Sequence, residues 1–329
     1  MAERRGRVFA LQAVASVAVL VGLVRGAELG AVMEALRGAR PAWLLVAVLT
    51  KSFGLLLHEL RLWVSLLPYR RPPLGPVVAI GFAAGLLNTV LPVRGGDLVA
   101  AALLRSELDL PGPQAVAAVG ITGFLEAATF GVFLMGVMVA GAARWEELLG
   151  AAASDRARST LSVLILGAIF GCVILVLLAR ALRGRESSEA GPLSLLRDTV
   201  LHTGEGLSAL GPMALNVAMS ALQVLTVVGS FWAILPALGL YPPLPLLAVS
   251  GVIAVGALAA VVLPPSLGAG PTASAVFVLA FFGVDEAHAL SFAALSWVAN
   301  SVPPLVLGLQ PLLGRVGRIG ALLRASRED

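Results

Sequence analysis

Apolar residues in this chain gather in long unbroken blocks, separated by short runs carrying arginine, proline and glycine. Reading for stretches near the ~20 residues that carry a helix across a bilayer predicts full spans at Val8–Val24, Pro41–Leu66, Pro113–Gly141, Thr160–Ala179, Pro212–Gly239 and Ala287–Leu309. The first of these six follows Arg4, Arg5 and Arg7, and no clear small-x-small cleavage site closes it. It therefore reads as an uncleaved anchor, not a signal peptide. Between the first two spans, Glu28, Glu34, Arg37 and Arg40 put a charged face on an apolar stretch, the pattern of an interfacial helix.

Two further apolar regions do not fit as simple spans. Pro76 to Leu91 is short, and Pro242 to Leu263 runs into the break Leu263-Pro264-Pro265-Ser266-Leu267-Gly268-Ala269-Gly270-Pro271. Each turns back into another apolar helix, and the return arm of the first, Asp97 to Leu104, is too short to cross. Both are predicted to be re-entrant hairpins whose broken tips lie within the membrane, where only protein or a cavity satisfies the freed backbone.

The two regions belong to a repeat. Pro41 recurs at Pro212, Pro72-Pro73 at Pro242-Pro243, Gly81 at Gly251, Gly85 at Gly256 and Leu91-Pro92 at Leu263-Pro264, with offsets of 170 to 172 residues. The order of long helix, Pro-Pro turn, glycine-spaced helix, Leu-Pro break and long helix is kept. Three crossings separate the copies, so the second copy is expected to be inverted. The predicted fold is all-α and polytopic. Residues 1–40 form an anchor and interfacial helix, and 41–179 a first repeat with its hairpin at about 76–107. Residues 180–211 form a cytoplasmic linker, 212–309 a second repeat with its hairpin at about 242–284, and 310–329 a basic tail. Inverted repeats with broken helices are a recurrent build of secondary transporters, with the substrate at the repeat interface.

Composition supports this class. Of 329 residues 58% are hydrophobic and only 13% charged, about half the charge of a soluble domain. The net charge of +4 sits in short loops, which is membrane topology and not a nucleic-acid footprint. Arginines at 4, 5, 7, 70, 71, 180, 183, 185, 197, 315, 318, 324 and 327 outnumber those at 25, 37, 40, 144, 156 and 158 on the opposite side, so both termini are expected to be cytoplasmic. A lone cysteine, Cys172, excludes an intramolecular disulfide and a cysteine metal site. His202 and His288 have no metal-ligand spacing, and no metal or cofactor is expected. No Gly-x-Ser-x-Gly elbow, Walker loop, dinucleotide fingerprint or His-Glu-x-x-His occurs, so the chain is not expected to be an enzyme or an ATP-driven pump.

A charge at the bilayer centre costs about 2.5 to 3.5 kcal/mol on the insertion scale, so each one asks for a reason. Lys51, the only lysine, lies within the second span, Glu126 within the span starting at Pro113, and Arg94 and Asp97 at the first hairpin's break. Their formal charges cancel, which suits the pairs Arg94–Asp97 and Lys51–Glu126 either as pins for the hairpin or as a site. The wording Asn88-Thr89-Val90-Leu91-Pro92-Val93-Arg94-Gly95-Gly96-Asp97 favours a site. Pro92 ends the incoming helix, Gly95 and Gly96 let backbone amides approach a ligand, and Arg94 offers a planar fork for phosphate. Asp97 falls in the first turn of the return helix, where its charge suits the dipole, and an anionic headgroup would bind Arg94 and the helix's first amides. His58, Glu59, Arg61 and Trp63 read as an interfacial belt at the end of the second span.

On these residues the chain resembles the transmembrane region of lysylphosphatidylglycerol synthases and the related flippase-like membrane proteins, over roughly Pro41 to Gly308. Asn88, Pro92, Arg94, Gly96 and Asp97 resemble that family's Asn-x-x-x-Pro-x-Arg-x-Gly-Glu, with Asp97 in place of Glu. The break holding Pro264, Gly268 and Gly270 resembles its second hairpin, with Thr272 in place of an acidic residue. Thr122-Gly123-x-x-Glu126 stands where the family has Glu-Arg-x-x-Asp, and no arginine accompanies Ala299 and Asn300 in the last span. The resemblance implies the lipid-translocating part alone, without an aminoacyl-transfer domain. The expected function is movement of an anionic, aminoacylated or polyprenyl-phosphate lipid headgroup across the plasma membrane. The alternative is an integral membrane enzyme or accessory of lipid-linked glycan assembly. Expected partners are a membrane phospholipid or polyprenyl-phosphate lipid, with a second copy or envelope-biosynthesis enzymes left open, and no nucleic acid.

Overall fold

In the computed structural model, residues 21, 28–90, 95–183, 192–240, 246–262 and 269–320 are described. Their regular structure is helical: α1 Leu29–Arg37, α2 Pro41–Leu66, α3 Leu74–Val90, α4 Gly95–Leu108, α5 Gly112–Ala140, α6 Ala142–Leu149, α7 Ala151–Leu182, α8 Pro192–Ser208, α9 Leu210–Ala237, α10 Leu246–Val262, α11 Ala269–Phe281 and α12 Glu286–Leu313. Five helices are long and apolar enough to cross a membrane, at Pro41–Leu66, Gly112–Ala140, Ser154–Leu182, Leu210–Ala237 and Glu286–Leu313. These are the second to sixth predicted spans. The predicted anchor Val8–Val24 lies outside the described residues apart from Val21.

Short apolar helices pack in two pairs, α3 with α4 and α10 with α11. Each pair is flanked in sequence by long helices. The order α2, α3–α4, α5 therefore recurs as α9, α10–α11, α12, with lengths of 26, 17, 14 and 29 residues against 28, 17, 13 and 28. The return helices align at an offset of 174, slightly more than the 170 to 172 read from the incoming helices. Gly96 and Gly270 each stand second in their helix, and Asp109 and Gly283, both at positive φ, follow the ends of α4 and α11. The second break is thus slightly longer than the first. At Gly283 the left-handed conformation lets Val284 N–H reach back to Leu279 O at 3.0 Å, and Gly239 lets Leu240 N–H reach Leu235 O at 2.9 Å.

The chain divides into two compact units. One comprises residues 1–52, 137–151 and 226–303 and holds the second hairpin. Trp145 fills its interior, with the indole N–H donating to Val137 O at 3.0 Å, and its ring occupies the space that a side chain at Gly251 would need. Ser230 Oγ donates to Ala47 O, and Ser291 Oγ donates to Val32 O, tying α1 to α12. Asp285 precedes α12 and accepts from the His288 backbone N–H at 3.1 Å. Burial pushes its carboxyl up, but the hydrogen bonds from the His288 backbone and ring outweigh this and hold it below the usual range.

The other unit comprises residues 53–136, 152–225 and 304–329 and holds the first hairpin. Its core is Leu62 and Leu66 from α2, Val77, Ile80 and Ala84 from α3, Leu103 and Leu104 from α4, and Ala115 and Ala118 from α5. The region expected as a basic linker contains α8, whose Gly206 lies so close to Ile121 and Tyr69 that a Cβ would collide. Tyr69 Oη donates to His202 O at 2.6 Å, and burial, reinforced by Glu205, pushes this phenol up.

Candidate functional site

One set of buried polar groups in the second unit lies on α2, α3, α4, α5 and α9, and it forms two connected parts. The first is built on Arg61, fully buried on α2. Its Nε donates to Asn216 Oδ1 at 3.0 Å, one terminal nitrogen to Gln223 Oε1 at 2.5 Å and the other to Thr122 O at 2.8 Å. Asn216 returns a hydrogen bond to Ser65 Oγ at 2.7 Å, Ser65 lies 3.0 Å from Thr122 Oγ1, and Thr122 donates to Ala118 O. Since each hydroxyl has one proton to give, the direction is fixed from Asn216 through Ser65 and Thr122 to the Ala118 carbonyl. A guanidinium with its fork filled by oxygens is the form in which a charge survives burial.

The second part is a narrow cleft lined by His58, Glu59, Gly85, Asn88, Asp97 and Thr122, with about 350 Å3 of empty space including its open mouth. Asn88 Nδ2 donates to Asp97 Oδ1 at 2.7 Å, joining the last turn of α3 to the first turn of α4. Gly96 makes that approach feasible, because a Cβ there would meet the Ala84 carbonyl and Asn88. Gly81 likewise clears the position taken by the Glu59 carboxyl. Glu59 is 1% exposed, and among the described residues its Oε1 has no hydrogen-bond partner; neither has Asn88 Oδ1. Glu126, on α5, lies 3.8 Å from His58 Nδ1 and accepts from Gln223 Nε2 at 3.4 Å, linking the cleft to the Arg61 network.

Among the residues singled out from the sequence, Asn88, Gly96 and Asp97 thus come together at the cleft, with Gly95 opening α4 beside them and Glu126 beside His58. Lys51 lies in the part of α2 that belongs to the other unit. Gly270 and Thr272 stand in the first turn of α11, with Gly270 buried and Thr272 half-buried. Pro92, Arg94, Pro264 and Gly268 lie outside the described residues, and with them the expected pair Arg94–Asp97. The belt expected of His58, Glu59, Arg61 and Trp63 does not form. Glu59 and Arg61 are buried in the unit, and Trp63 turns its N–H to Pro72 O at 3.0 Å. The reason is partner supply: Asn216 and Gln223, 155 and 162 residues further on, satisfy the charge that a reading of α2 alone assigns to water. No group of three or more metal-ligating side chains occurs among the described residues.

Long apolar helices, paired short ones and a buried polar cleft define a polytopic helical membrane protein. Residues 9–308 match the family of the lysylphosphatidylglycerol synthase TM region, and the chain belongs to that family. No curated protein matches it.

Proposed function

We propose that this protein is a lipid translocator of the plasma membrane, with both termini cytoplasmic. The headgroup of an anionic, aminoacylated or polyprenyl-phosphate lipid passes through a polar groove while its tails stay in lipid. The observation that carries this reading is the cleft of the first hairpin. It gathers Asn88, Asp97 and Glu59 at the end of α3 and the start of α4, in a family of membrane domains. Arg94 and the amides after Gly95 hold phosphate, and Asp97 and Glu126 balance charge, since buried polar groups in a bilayer need partners or a functional role. The chain's partner is a membrane phospholipid or polyprenyl-phosphate lipid, and the chain performs no covalent chemistry.

The test is reconstitution in liposomes with fluorescent anionic, aminoacylated and prenyl-phosphate lipids, scored by leaflet accessibility. Wild-type protein equilibrates at least one of them, and Arg94→Ala abolishes that movement while thermal unfolding shows a folded protein. Unchanged transport by Arg94→Ala removes Arg94 from the mechanism. Folded wild-type protein that moves none of the lipids overturns the translocator reading in favour of an enzyme or accessory of lipid-linked assembly.

A further inference from the structure

The Glu59 carboxyl is unlike the other charged groups of the second unit. It is 1% exposed, it lines the cleft, and among the described residues Oε1 has no hydrogen-bond partner. Burying an ionised carboxylate with an unsatisfied oxygen is among the costliest arrangements a protein can hold. The surroundings do little to relieve it. Glu126 from α5 and Asp97 from α4 face it as like charges, and of the cations Arg61 faces it from α2. The guanidinium bonds described above run from Arg61 to the neutral oxygens of Asn216, Gln223 and Thr122. His58, also on α2, lies 3.8 Å from Glu126. On α3 the facing positions are Gly81, whose missing side chain makes room for the carboxyl, and Gly85. The next polar group along that face, Asn88, spends its N–H on Asp97 and presents an unpartnered Oδ1 to the same cleft.

Two orphan acceptors in one cleft share a single need, a donor. A proton meets it at Glu59: the carboxylate takes H+ on one oxygen, becomes neutral, and its O–H becomes a donor in a cleft whose acceptors lack one. Release of that proton restores the charge. We propose that Glu59 is a proton-binding site through which a proton gradient drives headgroup passage, an inference that rests on the translocator reading for its transport half and on the cleft alone for the proton.

Two measurements on the full-length protein test the two halves separately. In infrared difference spectra of reconstituted protein between alkaline and acidic buffer, wild type is expected to show a protonated-carboxyl band that Glu59→Gln removes and Glu59→Asp shifts. Glutamine keeps the size and the acceptor, and thermal unfolding checks that the variant folds. Should Glu59→Gln not fold, the shift in Glu59→Asp carries the assignment. In proteoliposomes with the membrane potential clamped at zero, an imposed pH gradient is expected to displace the leaflet ratio of a transported fluorescent lipid from one, by up to about tenfold per pH unit for one proton per lipid. Glu59→Gln is expected to lose this response. A wild type whose lipid distribution ignores the pH gradient, or follows a sodium gradient instead, overturns the inference while leaving the translocator reading intact. So does the absence of any band that responds to Glu59. A Glu59-dependent band in protein that moves no lipid keeps the proton site and overturns the translocator reading.

Discussion

Arg61 shows how far a residue's meaning depends on partners distant in sequence. On the helix it sits close to the end of an apolar span, two residues from Trp63, where an arginine ordinarily snorkels to the headgroups. In the structure it is fully buried, with its fork closed by α5 and α9. No local pattern on α2 announces this, because Asn216, Gln223 and Thr122 are unremarkable polar residues on apolar helices. Asp97 and Asn88 were legible because their signal is local: proline, paired glycines and an acid within ten residues. Truncating Arg61 strands Asn216 Oδ1 and Gln223 Oε1 and removes the second bond on the Thr122 carbonyl. Arg61→Ala is therefore expected to cost about 1 to 3 kcal/mol for each buried amide oxygen left unsatisfied. Arg61→Lys should recover only part of this, since an ammonium cannot reproduce three bonds in a planar fork. Thermal unfolding of detergent-solubilised protein ranks the three; equal midpoints for wild type and Arg61→Ala would deny the network its structural role.

At the level of elements, the first hairpin is held at both ends by different chemistry. Its tip is closed by the Asn88–Asp97 hydrogen bond, and its far end by Glu107 on α4, whose two oxygens accept from Arg315 Nε and Nη2, at 2.9 and 3.0 Å. Arg318 adds a contact at 2.9 Å but is half exposed, so little is expected of it. Glu107 and Arg315 are only 11% and 15% exposed, which makes this a bidentate pair with little solvent screening. The C-terminal basic stretch carries an orientation signal in its arginines, but a count of charges does not show that one of them clamps a helix. Likewise the segment 180–211 was legible as polar, while α8 within it owes its place to Tyr69, Gly206 and Ile121, contacts with other helices. Glu107→Ala and Arg315→Ala are each expected to lower stability by roughly 2 kcal/mol, as hydrogen bonds between charged groups do. The double variant should lose little more than either single one, a non-additivity read from a thermal double-mutant cycle. Additive losses would show that the two side chains act on separate partners.

Across the whole molecule the repeat was legible because proline and glycine mark backbone geometry directly, and both copies keep that geometry while differing in what fills it. At corresponding positions the first copy has Asn88, Asp97, Thr122 and Glu126, and the second has Ala259, Pro271, Ser296 and Asn300. The sequence showed the loss of charge; it could not show that the cleft gathers around the first hairpin, since Glu59 and its glycine seat depend on packing. The two tips also differ in tightness. A Cβ on Gly96 would collide with the Ala84 carbonyl and stand 2.7 Å from Asn88 Oδ1, whereas one on Gly270 would meet the Ala259 Cβ at 3.2 Å. Backbone cannot swing aside as a side chain end can, so Gly96→Ala must part α3 from α4 and break the Asn88–Asp97 bond. A loss of about 1 to 3 kcal/mol is expected, the usual cost of overpacking. At Gly270 a shift of a few tenths of an ångström suffices, and the lower backbone entropy of alanine offsets part of it, leaving a change within about 0.5 kcal/mol. The same pair separates in function: Gly96→Ala should slow lipid equilibration in the liposome assay, because it moves the cleft's walls, and Gly270→Ala should leave the rate near wild type. If Gly270→Ala stops transport while Gly96→Ala does not, the working site belongs to the second copy, and the polar asymmetry of the repeat has some other cause.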